Sequence, residues 1–537
     1  MGGGGGEMHE MIDSGAMEPV DSGTVVVDAG PGVMVDAGKP VVDAGQPVVD
    51  AGKPIVDAGQ PTVDAGTFPS FRTCTPPGTR RVLNGGLVGP ATAPSGCQKP
   101  VQPSALQGVQ KISFGTHKVN DVLTFNVPPS VGGLSIVQQA VSATSTVSVQ
   151  GQTTPNASIP NLLKTPGGLV LFDDNNPNPP TEGPSTYIWF QAPSEVTGVV
   201  TIPATTKALS LLTGGSLPSG TWSVTVNDYA AECAGGSASL CTGGATTANT
   251  YDVSVLLRRG PVPSTGTVDL AFYLVSSSLT ATTALTDANF KRMLDTLATI
   301  YGRAGLCLGD VTLYDVPAWA KAKYATGVDA TATGACDGLD QMFTLSKPGD
   351  NTLNFFMVDD IAQAGSGSGG TIVGIDGAIP GPSSVGGTVK SGAVVNISDL
   401  SFTGLCTSAI NPAKCGPDQV AYITAHEGGH WLGLYHTTES SGGAWDPLDD
   451  SPKCTCNTTC LSTTAAANCC DPATNKYPDG TPCTGAVTSM SGSVCNSTTK
   501  PSCQGADSLM FWVIDQTSVG IFSAQQAAVM RANPVVQ

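Results

Sequence analysis

Three imidazoles and one carboxylate stand within the segment His426-Glu427-Gly428-Gly429-His430-Trp431-Leu432-Gly433-Leu434-Tyr435-His436, in a chain of 537 residues that has only five histidines. Residues four apart share one face of an α-helix, so the rings of His426 and His430 can meet one ion. Glu427 is turned away from that axis by roughly 100° and stays free to act as a base. Gly433 stands where such a helix must end, because glycine readily takes the left-handed conformation, and the turned chain can return His436 beneath the ion. Three neutral imidazoles with a fourth position open form the ligand set of a catalytic zinc ion rather than a structural one. The chemistry this permits is hydrolysis by metal-activated water, with Glu427 as general base. His9 and His117 have no comparable neighbours.

The elements that must position these groups are visible on both sides. Gly416-Pro417-Asp418-Gln419 supplies a helix start, with proline suited to the first turn and an acid near the positive end of the helix dipole. From Val420 onward the run is apolar and helical in period. Near the end of the chain, Ser523 and Gln526 form a capping-box pattern for a last helix running to about Ala532.

All five fixed positions of the pattern His-Glu-x-x-His-x-x-Gly-x-x-His are present as His426, Glu427, His430, Gly433 and His436, and this resembles the metzincin clan of zinc endopeptidases. Thr437 after the third histidine, followed by the acidic Asp449-Asp450-Ser451-Pro452, resembles the pappalysin family most. The resemblance covers roughly half the chain and implies a methionine turn beneath the zinc. Of Met490 and Met510, the second is preferred, because Asp507-Ser508-Leu509-Met510-Phe511-Trp512 leads into the last helix, whereas Met490 lies in a cysteine-bounded loop. Pappalysins often carry a tyrosine two residues after that methionine, able to help with the oxyanion. Trp512 stands there instead, and its indole can donate a hydrogen bond but cannot ionise in the same way. The resemblance also implies a structural calcium near Asp446, Asp449 and Asp450, set against a plain solvated loop.

Composition bears on the setting. The net charge is -18 with only 24 basic residues and no basic stripe, so nucleic acid is not an expected partner, and no apolar run reaches the ~20 residues of a membrane helix. The sixteen cysteines are an even number, and eight of them, Cys454, Cys456, Cys460, Cys469, Cys470, Cys483, Cys495 and Cys503, lie between the third histidine and Met510. A disulfide-stapled insertion over 454–503 is favoured there over a second metal cluster. Cys307, Cys336, Cys406 and Cys415 are expected to pair within the catalytic domain, and Cys74 with Cys97 and Cys233 with Cys241 are the economical local pairings; a latent form with Cys74 or Cys97 on zinc is the less favoured alternative. The start Met1-Gly2-Gly3-Gly4-Gly5-Gly6-Glu7 resembles a bacterial lipoprotein tether after its leader, with a lipidated cysteine expected where Met1 stands. The protein is thus expected outside the cell, its membrane attachment supplied only by that lipid.

Residues 1–67 carry Val-Asp-Ala-Gly repeats with aspartates at Asp28, Asp36, Asp43, Asp50, Asp57 and Asp64 and prolines between most of them, and they read as an extended linker rather than a coiled coil. Residues 68–262 are written in short alternating runs, Val122–Val127, Gly133–Val137, Leu169–Phe172, Thr186–Phe190, Thr221–Val226 and Tyr251–Leu257, separated by turn residues, which predicts a β-sandwich. The stretch Gly220–Asp228 resembles the end of jelly-roll domains that accompany secreted proteases, and Asp173-Asp174-Asn175-Asn176 is a calcium candidate or a polar hairpin turn. From 263 to 537 the pattern changes to α/β: Val268–Val275, Leu353–Val358 and Ala393–Ile397 read as strands, and Phe290, Met293, Leu294, Leu297, Ile300 and Tyr301 as the buried stripe of a helix. The expected architecture is an all-β, jelly-roll-like sandwich followed by an α/β (α+β) metzincin-like catalytic domain with the cysteine-rich insertion. The expected activity is zinc-dependent cleavage of a protein or peptide substrate. The alternative is a catalytically inactive surface-binding protein whose sandwich carries the function; the intact Glu427 speaks against it.

Overall fold

The computed structural model describes residues 9–10, 80–96, 109–142, 146–149, 152–155, 158, 160–172, 197–228, 230–231, 248–329, 338–347, 351–362, 371–376, 391–412, 414–437, 446–451, 508–511 and 520–537. The Val-Asp-Ala-Gly repeats, the calcium candidate at 173–176, the run 186–190, the cysteines from 454 to 503, and Cys74, Cys97, Cys233, Cys241, Cys336, Met490 and Trp512 lie outside these residues.

In chain order the strands and helices that matter are β1 (Val82–Leu87), β2 (Val109–Lys118), β3 (Val122–Val127), β4 (Val131–Ser142), β5 (Asn161–Lys164), β6 (Val170–Phe172), β7 (Thr197–Ile202), α1 (Thr206–Ser210), β8 (Gly220–Thr225), β9 (Thr250–Arg259), β10 (Gly266–Leu274), α2 (Ala288–Arg303), β11 (Leu306–Asp315), β12 (Thr352–Val358), β13 (Gly374–Asp376), β14 (Ala393–Asn396), α3 (Gly416–Trp431) and α4 (Ala524–Ala532). The fold is mixed and richer in strand than in helix. No described helix is long and apolar enough to cross a membrane.

The first half forms two four-stranded sheets, ordered β7-β4-β9-β2 and β3-β8-β5-β6, each built of antiparallel pairs. Strand β3 shows why: Leu123, Phe125 and Val127 are buried while the residues between them are not, the alternation of a half-buried strand. Those side chains share one apolar core with Leu134 and Ile136 of β4, Trp222 and Val224 of β8, and Tyr251 and Val253 of β9.

The second half is one six-stranded sheet in the order β13-β14-β12-β10-β11-β1, parallel except for the antiparallel edge pair β13–β14. Strand β10 is central and apolar on both faces. Leu270, Phe272 and Leu274 join the core that includes α2 and α3, whereas Ala271 and Tyr273 join a second core with Tyr314, Phe343 and Phe356. Helix α2 starts at Asp287, whose carboxylate accepts from the amides of Asn289 and Phe290, and its buried face carries the six residues of the expected stripe. Strands expected at 268–275, 353–358 and 393–397 are β10, β12 and β14 within a residue or two. Two elements differ from the expectation. Strand β1, placed by sequence in the sandwich segment, pairs with β11 and completes the six-stranded sheet, because Val82 packs against that sheet's core. The short edge strand β13 escaped notice because three residues with one glycine carry no periodic signal.

The described residues all belong to one contact-continuous unit, and the junction between its two halves is close. A Cβ on Gly133 of β4 would overlap the carbonyl oxygen of Ala532 in α4, so only glycine fits there. The buried Arg258 donates to the carbonyls of Val536 (3.0 Å), Gly260 (3.0 Å) and Pro261 (2.8 Å). Thr206 at the start of α1 donates its amide to Pro447 O (3.2 Å), and its hydroxyl accepts from the Asp449 amide (2.8 Å). Gly133→Val is expected to destabilise the protein by about 1–3 kcal/mol through overpacking at this junction, read as a lower melting temperature. Unchanged stability would show that the junction can open without cost.

Candidate metal centre

Helix α3 carries His426, Glu427 and His430 and begins as expected, with Pro417 in its first turn. Its N-terminal segment is fastened to α2 through the buried Asp418. That carboxylate accepts from Arg292 Nε (2.9 Å) and Nη2 (2.8 Å), from Thr296 Oγ1 (2.9 Å) and from the Asn411 amide (2.8 Å). A disulfide between Cys406 and Cys415 ties the loop that enters the helix, one of the pairings open to the four cysteines expected to pair in this half, and Cys307 is also disulfide-bonded. The helix ends at Trp431, followed by Gly433 in the positive-φ conformation (φ +106°), as its glycine required.

The turn brings His436 back, so that His426, His430 and His436 form a buried cluster whose ligand atoms all lie within 4.8 Å of one another. Among the described residues this is the one cluster of metal-ligating side chains. His426 Nδ1 donates to Leu509 O (2.7 Å) and His430 Nδ1 to Leu434 O (2.8 Å). A carbonyl can only accept, so in each neutral ring the proton is on Nδ1 and the Nε2 lone pair is exposed to the centre. The Nε2 atoms of His426 and His430 are 3.0 Å apart, and those of His426 and His436 are 3.2 Å apart. Facing lone pairs at that distance repel, whereas nitrogens around a tetrahedral zinc at ordinary bond lengths would stand ~3.3 Å apart. The donor set therefore fits such an ion. Burial, with the His436 ring as a lesser cause, pushes His426 down to about 3; burial and both neighbouring rings hold His430 well below the usual histidine range. Both rings thus stay in the neutral, ligating form.

Met510 lies under the cluster, buried, with its sulfur 2.5 Å from where a Cβ on Gly429 would stand. Its segment is pinned from several sides: Thr437 donates its amide to Met510 O (2.8 Å) and its hydroxyl to Ser508 Oγ (2.8 Å), and the Leu509 amide donates to Ile521 O (2.9 Å). Met510, the preferred candidate, thus stands against the helix that carries His426 and His430, while Met490 lies outside the described residues.

Asp446 and Asp450 anchor α4. Asp446 accepts from Ser451 Oγ and from Gln526 Nε2 (3.1 Å), and Asp450 accepts from Ser523 Oγ (2.7 Å) and the Gln525 amide (2.8 Å). Burial raises the Asp450 carboxyl above the usual range. Asp449 contributes its main-chain amide to Thr206 and Gln525. Among the described residues these three carboxylates, where the resemblance implies a calcium, are not grouped into a metal-ligand cluster.

Glu427 is buried beside the edge strand β13, where a Cβ on Gly374 would overlap its Oε1 and come within 2.8 Å of its Cδ. Sequence reasoning missed Gly374, and also Tyr301, whose hydroxyl lies against Gly428. A signal for such approaches was present in Gly428-Gly429, since two glycines inside a helix cost roughly 1 kcal/mol each unless something must come close.

No family model matches the chain, and no curated protein does. Among solved structures it is similar to a family two carbohydrate esterase from Cellvibrio japonicus at 10% identity, over 41% of this chain and 54% of that one, with a TM-score of 0.11, a likeness too slight to carry an argument.

The folded chain keeps His426 and His430 neutral below the unfolded histidine value of about 6.5, so the unfolded state binds more protons as pH falls. Metal-free protein is expected to lose stability as pH drops from about 6.5 toward 3, measured by thermal unfolding across that window. A flat or rising melting temperature there would contradict the burial of these rings.

Proposed function

We propose that the protein is a zinc-dependent endopeptidase of the metzincin kind, most like the pappalysins, which cleaves peptide bonds with Glu427 as general base. The observation that carries this reading is the convergence of three imidazoles at one buried point, with Glu427 on the same helix as the first two. Zinc, when bound, polarises a carbonyl and lowers the pKa of water to about 7. His426, His430 and His436 hold the ion, and the Leu509 and Leu434 carbonyls fix the first two rings in the ligating tautomer. Glu427 removes a proton from the attacking water as its oxygen bonds to the peptide carbon, then delivers it to the amide nitrogen as the carbon–nitrogen bond breaks. Strand β13, next to Glu427, ends the sheet order among the described residues, and in this reading an extended peptide pairs along it and lays the scissile bond across the site.

In this reading the N-terminal sheets form an accessory sandwich of jelly-roll type. The Cys406–Cys415 disulfide and the even cysteine count support an exported enzyme.

Casein and gelatin hydrolysis by the wild type and by Glu427→Ala, each with and without chelator, tests the reading. The wild type should act and be silenced by chelation, and the variant should keep its zinc and lose at least about a hundredfold in rate. Equal, chelator-insensitive rates for both would overturn it.

A further inference from the structure

Glu427 and its neighbour Gly428 are met by residues of two further elements. The carboxylate lies against the main chain of Gly374, and Asp376, two residues on in the same strand and fully buried, faces the same side of the sheet. From the last turn of α2, Tyr301 directs its hydroxyl at Gly428, the residue after Glu427, so closely that any Cβ there would overlap it. Tyr301 is fully buried, and its hydroxyl has no hydrogen-bond partner among the described residues. Native interiors avoid such a group unless it has work to do. Phenylalanine would fill the same volume without an idle buried hydroxyl, so packing alone does not account for tyrosine here.

Burial first, then the negative charges of Asp376 and Glu427, hold the Tyr301 hydroxyl far above the ordinary phenol range. It is therefore a neutral, buried O–H donor in the field of two carboxylates.

We propose that Tyr301 is a positioning residue for Glu427, its hydroxyl being the donor that holds the carboxylate in the metal-facing orientation during turnover. The proposal rests on the endopeptidase reading of the site. Hydrogen bonds of this kind tighten when the site is at work and are long or absent in the resting arrangement. Gly428 is the complement: it gives up helix propensity so that the phenol can reach this depth. Tyr301 moves no proton and touches no substrate, so removing it should lower turnover without weakening binding.

The test uses zinc-loaded full-length protein with fluorescein-labelled casein as probe. Tyr301→Phe is expected to lower kcat by between about ten- and a hundredfold, the worth of a lost hydrogen bond to a charged group, with KM and zinc affinity within about twofold. Replacing Tyr301 with para-aminophenylalanine, which restores an N–H donor at the same place, should return most of the rate. Crystal structures of the zinc-loaded wild type and Tyr301→Phe give a readout independent of activity: the Glu427 carboxylate should be displaced or split between rotamers in the variant only. An unmoved Glu427, an unchanged kcat, or no rescue by the amino analogue would overturn the proposal. If the wild type cleaves nothing, the endopeptidase reading fails by itself and the Glu427 orientation in the two crystals still decides for or against Tyr301.

Discussion

Two imidazole nitrogens whose lone pairs face each other at 3.0 Å, in the dry interior of a protein, repel unless a positive charge lies between them. Much of this structure can be understood as the means of keeping three such rings at that separation. Protonating a ring would relieve one repulsion and create another, because a buried imidazolium beside two neighbours is more costly still, which is why burial and the adjacent rings drive His426 and His430 toward the neutral form. Neutrality alone is insufficient. Each ring must also present Nε2 and not Nδ1, and that choice is made by the carbonyls of Leu509 and Leu434.

The dependence on those carbonyls ties the site to remote parts of the chain. Leu434 is delivered by the turn at Gly433, whose positive φ few other residues would accept. Leu509 belongs to the segment 508–511 that carries Met510, which is pinned by Thr437 and by Ile521 at the approach to α4. Helix α4 is in turn fastened by the carboxylates of Asp446 and Asp450 and seated on the first β-layer, where Gly133 lets Ala532 come close. The N-terminal sheets are thus mechanically continuous with the metal centre, and loosening α4 should be felt at the His426 tautomer.

The site was largely legible in the sequence because its signals are local. His426, Glu427 and His430 lie within one helical turn, Gly433 and His436 follow within six residues, and the capping box at Ser523 and Gln526 marks α4 as the structure has it. Long strands such as β3, β9 and β10 were legible for the same reason, since alternation or a continuous apolar run survives over six or more residues. What sequence reading missed depends on tertiary approach. Nothing near Val82 says that it will pair with β11 across more than two hundred residues, and Gly374 means nothing until Glu427 is packed against it. The placing of Asp446 and Asp450 was equally illegible: only the folded chain shows that their carboxylates accept from side chains and an amide at the N-terminus of α4.

X-ray absorption at the zinc edge, on protein purified with its native metal, addresses the central claim most directly. The account implies one zinc per chain with a first shell of light atoms that includes three imidazole nitrogens at about 2.0–2.1 Å, and no sulfur. A shell with sulfur at about 2.3 Å, or a chain that binds no zinc, would contradict it.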